Sequence, residues 1–213
     1  MSVIFCLDRA GITGPDGPSH HGVYDMALLS RVPGMRVLAP SSAQELGQMM
    51  HDAMTLANAG PVAIRYPRGA ARNVTEHEVG TGIDARKVRD PQQPTVCIIG
   101  VGKMLEAAEK AADRLGTDGV DVTVWDPRCV APLDPVMLAD AASHPHVITI
   151  EDGVRDGGIG MTIADRICAI DHSTRVDVLG LPSKFMPHDP KSGNILGRYG
   201  LDAAGLIATV RDR

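Results

Sequence analysis

Short runs of β-branched residues alternate with amphipathic stretches along almost the whole chain, and this alternation constrains the fold more than any other feature. Extended runs are read at residues 3–7, 35–39, 62–66, 96–101, 120–126, 147–151 and 175–181. Helical spacing is read at residues 23–30, 42–57, 104–115, 134–142, 160–170 and 202–211. Strand–helix alternation predicts parallel sheets covered by helices. In the second helix, Leu46, Met49, Met50, Ala53, Met54 and Ala57 are spaced to form one apolar face. Ser42 and Glu45 in front of it have the spacing of a capping box.

The alternation breaks once. Residues 76–94 are polar, contain Pro91 and Pro94, and keep no period, so they read as a linker with room for one short strand. The expected organisation is an α/β unit over residues 1–75, the linker, and a second α/β unit over residues 95–213. Three strands are few for a doubly wound domain, so the first unit is expected to be the later half of a larger one.

Composition narrows the function. Aromatics are 3% of the 213 residues, so the core has to be built from Val, Ile, Leu, Met and Ala. The net charge of -5, with no basic run, excludes a nucleic-acid surface. No stretch approaches the roughly 20 apolar residues of a membrane helix, which leaves the cytoplasm as the expected location. The four cysteines show no C-x-x-C spacing and are expected as unpaired thiols, mostly buried.

Two polar clusters follow predicted strands, where open α/β sheets place their ligand loops. The first is Asp8-Arg9-Ala10-Gly11-Ile12-Thr13-Gly14-Pro15-Asp16-Gly17-Pro18-Ser19-His20-His21-Gly22. Arginine, aspartate and histidine in one loop can hold an anion and move protons. A Gly-rich surface turn is the plain alternative. The second is Arg65-Tyr66-Pro67-Arg68-Gly69, whose planar guanidinium forks suit a phosphate or carboxylate. Surface ion pairs at a strand end are the alternative there. Gly100-Val101-Gly102 lacks the third glycine of a dinucleotide fingerprint and reads as a tight turn. Residues 151–160 read as a structural loop, and His144 and His146 as a surface turn.

Together the clusters are more specific than either alone. The first resembles the D-R-A-G-x-x-G-x-D-G-x-T-H-x-G loop of the 1-deoxy-D-xylulose-5-phosphate synthases, a transketolase-like family, with Ser19 in place of the usual Thr. The run from Pro61 to Gly69 is similar to that family's R-Y-P-R-G hallmark. Pro132-Leu133-Asp134, Glu151-Asp152-Gly153 and residues 200–205 resemble its carboxy-terminal domain.

That resemblance implies part of a transketolase pyrimidine-binding domain followed by a transketolase C-terminal domain, each a mainly parallel sheet flanked by helices. It implies a transferase that uses thiamine diphosphate and Mg2+ to condense pyruvate with glyceraldehyde 3-phosphate, with loss of CO2. The product feeds isoprenoid, thiamine and pyridoxal synthesis. Position by position, Arg9 and Arg65 match substrate-phosphate arginines, His20 the active-site histidine, and Asp16 the aspartate beside it. Arg68 and Tyr66 carry a supporting role, and His21 none. The family's G-D-G motif, its cofactor-activating glutamate and the aromatic stacked on the cofactor have no counterpart in the sequence. The chain alone is therefore expected to be inactive and to need a homodimer partner or an N-terminal half. A dimerising or regulatory fragment is the next alternative. A β subunit of a 2-oxo acid dehydrogenase ranks last, because such subunits carry that glutamate.

Overall fold

A computed structural model describes residues 2–212, with two sheets and seven α-helices among them. The first sheet has the order β1 (Ile4–Leu7), β3 (Val62–Arg65), β2 (Arg36–Leu38), β7 (Cys129–Ala131). Its first three strands are parallel, and β7 joins β2 antiparallel. The second sheet runs β4 (Arg86–Arg89), β6 (Val122–Asp126), β5 (Val96–Gly100), β8 (His146–Val154), β9 (Arg175–Leu181). Only β4 is antiparallel there. Parallel-dominated sheets flanked by helices are the architecture the alternation predicted.

The helices are α1 (Asp25–Leu29), α2 (Ala43–Leu56), α3 (Leu105–Thr117), α4 (Pro135–Ala142), α5 (Ile159–Ile170), α6 (Ser192–Arg198) and α7 (Ala203–Arg211). Their starts follow capping chemistry. Asp134 and Asp202 accept backbone N–H groups at 2.7 and 2.8 Å, and Ser42 accepts that of Glu45 at 3.1 Å. None of the described helices is long and apolar enough to cross a membrane.

Several expectations change. The capping box on α2 is half made: Glu45 turns inward, fully buried, and pairs with Arg128. The apolar face of α2 is narrower than its spacing suggested. Met49, Ala53 and Ala57 are buried, whereas Met50 and Met54 are exposed, because the small sheet covers only one stripe of the helix. The short strand for which the linker had room is β4. Glu151, Asp152 and Gly153 lie inside β8 rather than in a loop, because the strand runs on into the interior. His144 and His146 are buried, bonded to Thr123 and Asp177, not a surface turn. Strand β7 and helix α6 are short, and the sequence pattern did not show them.

The two units share their interior. One apolar cluster takes Met26, Val37 and Ala63 from the first unit and Ile99, Trp125, Met137 and Ile163 from the second. Arg128, at φ 54, is buried where the units and the linker meet. Its guanidinium donates to Glu45 at 2.9 Å and to the carbonyls of Thr81 and Asp84 at 2.9 and 2.8 Å. Ser41 donates across the same seam to the buried Asp126 at 2.7 Å. These bonds join the second unit and the linker to the segment that follows β2.

Candidate functional site

Strands β1 and β3 are neighbours, with Leu7 opposite Arg65, so both polar clusters leave the sheet side by side. The residue 8–22 loop is closed at its neck. Ala10 N–H donates to the Tyr66 carbonyl at 3.0 Å, and Gly11 N–H to the Gly22 carbonyl at 2.8 Å. Gly11 has φ 70, and any side chain there would collide with the Asp152 carboxylate. Glycine is thus required where the loop crosses the second unit.

The loop's outer part is polar and open. Asp16 lies between two guanidinium groups: Arg9 Nε at 3.3 Å from Oδ2, and Arg68 hydrogen-bonded to Oδ1. The hydrogen bond from Arg68 is the largest cause holding the Asp16 carboxyl below its usual range, and Arg9 acts in the same direction. His20 is exposed, with Nδ1 3.0 Å from the Ser19 hydroxyl. His21 is half-buried, and its Nδ1 accepts the Thr13 N–H at 3.1 Å, which puts the proton of the neutral ring on Nε2. Burial lowers the His21 pKa, with Lys103 and His20 acting in the same direction and the Pro187 backbone and Asp16 opposing.

Arg65 is placed differently from the expectation. Its side chain is 2% exposed. Nε donates to Asp25 at 3.0 Å and Nη1 to Asp152 at 2.7 Å, which leaves Nη2 without a partner. Burial alone would lower its pKa, but the Asp152 and Asp25 carboxylates reverse that and raise it. Asp152 is fully buried, with Lys103 Nζ 3.0 Å from its other oxygen. Burial would push the Asp152 carboxyl up, but the Arg65 and Lys103 cations outweigh it and hold the carboxyl down. The expected pair of open forks, Arg9 and Arg65, is therefore corrected. The two arginines do leave neighbouring strand ends, but Arg65 is drawn inward by two carboxylates and ties the units together. The guanidinium that shares Asp16 with Arg9 is that of Arg68.

Sequence reasoning left Arg68 in a supporting role and missed Lys103, Asp25 and Asp152. Asp152 lies 87 positions from Arg65, and no local pattern announces such a pairing. Arg68 and Lys103 also line a cleft of about 840 Å3, with Tyr66, Met104, Leu196 and Leu201. That volume is in the range of small-molecule sites. No group of three or more His, Cys, Asp or Glu that could hold a metal ion occurs among the described residues. The Asp16–Arg9–Arg68 cluster suits an anion rather than a cation.

Two parallel-dominated sheets, with polar loops leaving parallel strand ends, are the architecture of a class that known proteins identify. The family model "Transketolase, C-terminal domain" matches residues 85–206, more than half of the chain, and "Transketolase, pyrimidine binding domain" matches residues 1–74. The chain belongs to the transketolase family.

Within it, the chain is similar to 1-deoxy-D-xylulose-5-phosphate synthases. It is 37% identical to that of Chlorobium luteolum, covering 100% of this chain and 34% of that protein. It is 41% identical to that of Paenarthrobacter aurescens, covering 98% of this chain and 32% of that protein. The chain thus spans about a third of the length of these relatives. Among solved structures, a split gene transketolase described as an inactive beta4 tetramer superposes with a TM-score of 0.82 at 25% identity, covering 98% of this chain and 65% of that one. A transketolase from Campylobacter jejuni superposes with a TM-score of 0.77 at 16% identity, over 99% of this chain and 31% of that one, and shares the fold.

Proposed function

We propose that this chain is the sugar-phosphate side of a 1-deoxy-D-xylulose-5-phosphate synthase, the enzyme that joins pyruvate to glyceraldehyde 3-phosphate with loss of CO2. One observation carries this reading: the two motif loops emerge from adjacent parallel strands and meet through Asp16, Arg9 and Arg68. In that role the exposed guanidinium groups hold the substrate phosphate. Arg65, buried behind them, is fixed by Asp25 and Asp152 and holds the second unit against the two loops. His20 stands at the loop surface, where its ring can exchange a proton with a reacting oxygen of the aldehyde. Asp16 sets the electrostatics beside it. Thiamine diphosphate and Mg2+ would be held by residues outside this chain, from an N-terminal half or a partner subunit. The four unpaired thiols suit the reducing cytoplasm.

On this reading the isolated chain forms no 1-deoxy-D-xylulose 5-phosphate. Calorimetric titration with thiamine diphosphate and Mg2+ should show no saturable heat. Saturable binding in the micromolar range would overturn the assignment of the cofactor site to another polypeptide segment.

The similarity to a chain of a split gene transketolase favours a second reading, a separately encoded subunit that assembles with itself or with a complementary chain. Light scattering on the purified chain distinguishes the two. An assembly larger than a monomer supports the subunit reading, and a monomer counts against it.

A further inference from the structure

His21, which the motif resemblance leaves without a role, closes the base of the loop that carries Asp16 and His20. Its Nδ1 lies 3.1 Å from the Thr13 backbone nitrogen and 3.1 Å from the Thr13 hydroxyl. Thr13 is buried. Its neighbour Ile12, and Val23 on the returning arm, sit in one apolar cluster with Leu181, Met186 and Ile195 of the second unit. Gly14, at φ 60, runs so close to that unit that a Cβ there would come within 2.7 Å of the Ser192 nitrogen and 2.9 Å of the Asp189 carbonyl. The opposing segment is itself fixed. Asp189 accepts from the Lys191 N–H at 3.0 Å, from Asn194 at 2.9 Å and from Arg198 at 2.8 Å. The His21 ring thus ties the two arms of the loop together beside a braced wall.

The tie is made in one protonation state. A backbone N–H only donates, so Nδ1 has to be bare to receive it. The other nitrogen, Nε2, is buried and faces the Pro187 backbone. A second proton, placed on Nδ1, sets two donors against each other and strands the buried Thr13 N–H, which is costly. The Thr13 hydroxyl is free to turn and accept from the ring, but the backbone N–H is not.

The charges around the ring act in both directions. Asp16 favours the second proton, whereas Lys103 and His20 oppose it. On the segment that carries Pro187, Asp189 is paired with Arg198 and His188 is exposed. Burial, the largest cause, holds the ring's pKa below its ordinary value. The contribution of the tie is therefore present above that ordinary value, about 6.5, and is lost as the pH falls through the lower folded-state value.

We propose that His21 is the positioning residue for His20: as a neutral imidazole it ties the His20–His21 backbone to Thr13, and uptake of a proton undoes the tie. Its bearing on catalysis rests on the sugar-phosphate reading above, in which His20 meets the aldehyde, but the tie itself does not.

The test is nuclear magnetic resonance of the isotope-labelled chain, without ligand, between about pH 7.5 and about pH 5. At the upper limit the His21 ring nitrogens should report a bare Nδ1, with a through-hydrogen-bond coupling from Nδ1 to the Thr13 nitrogen. As the ring titrates, that coupling should vanish, and exchange protection of the Thr13 amide should fall by about tenfold, the order of one lost hydrogen bond. The His20 backbone amide should shift with the same midpoint. In His21→Gln the side-chain carbonyl takes over the Thr13 N–H and has no proton to gain, so Thr13 should stay protected throughout and that component of the His20 shift should disappear. If His21→Gln does not fold, Thr13→Val keeps the backbone N–H and should lose the coupling in the same way. A proton on Nδ1 at about pH 7.5, a Thr13 amide that stays protected while the His21 ring titrates, or an unchanged pH response in His21→Gln overturns the proposal. Since no ligand is added, each of these results leaves the sugar-phosphate reading standing.

Discussion

At the scale of the residue, the second unit adds a chain of buried charge to the first, and its members behave differently. Asp152 stays ionised because Arg65 and Lys103 stand on either side of it. Glu151, next to it on β8, has no ion pair among the described residues. One oxygen accepts the Gly160 N–H at 2.8 Å near the start of α5, and the other has no partner. Burial raises its pKa to about 7, with those backbone bonds opposing. The sign of the pH effect follows. The folded-state pKa lies above the unfolded value, so the group's contribution is fully present below about pH 4.5 and is lost as the pH rises through about 7. Glu151→Gln should therefore unfold at a higher temperature than the unsubstituted chain at pH 8, with the difference shrinking towards pH 5. A difference that does not change with pH would contradict the assignment. The polar loop holding Arg9, Asp16 and His20 was visible after a strand, and the roles expected of these residues came from the family resemblance. The fate of Arg65 was not visible, because burial and a partner 87 positions away decide it.

At the scale of the element, two short pieces determine how the halves meet. Strand β7 belongs by sequence to the second unit and adds itself to the first unit's sheet. Helix α2 turns Glu45 away from its own N-terminus to meet Arg128, which also gathers the linker carbonyls. The long helices and the central strands could be read from periodicity, because each buries a repeating face. β7, three residues long, carries too little period to register, and the inward turn of Glu45 depends on an arginine 83 positions away. Breaking a buried ion pair by removing one partner strands the other charge and costs about 3–5 kcal/mol. Arg128→Ala is expected to lower unfolding stability in urea by that order and to speed amide exchange at Gly80 and Gly82. Replacing both partners, as Glu45→Leu with Arg128→Met, should recover much of the loss. A fully stable Arg128→Ala variant would show that the seam is held by apolar contact alone.

At the scale of the whole molecule, the shared apolar cluster and the strand exchange make the two units one cooperative body. A single calorimetric transition, with calorimetric and van't Hoff enthalpies in agreement, is expected on heating. Two separated transitions would mean that the units fold independently. The two-unit α/β plan was visible in the alternation of strand and helix. The weld between the units was not, since it consists of contacts far apart in sequence. The weld matters for function because it sets Asp152 and Lys103 behind the loops at the ends of β1 and β3, where the sugar phosphate is proposed to bind. Titration of the isotope-labelled chain with glyceraldehyde 3-phosphate addresses that proposal most directly. Saturable shifts should appear first at Arg9, Asp16, His20 and Arg68, with the far edge at β4 silent. Shifts confined to other surfaces, or none at millimolar ligand, would contradict a triose phosphate site at these strand ends.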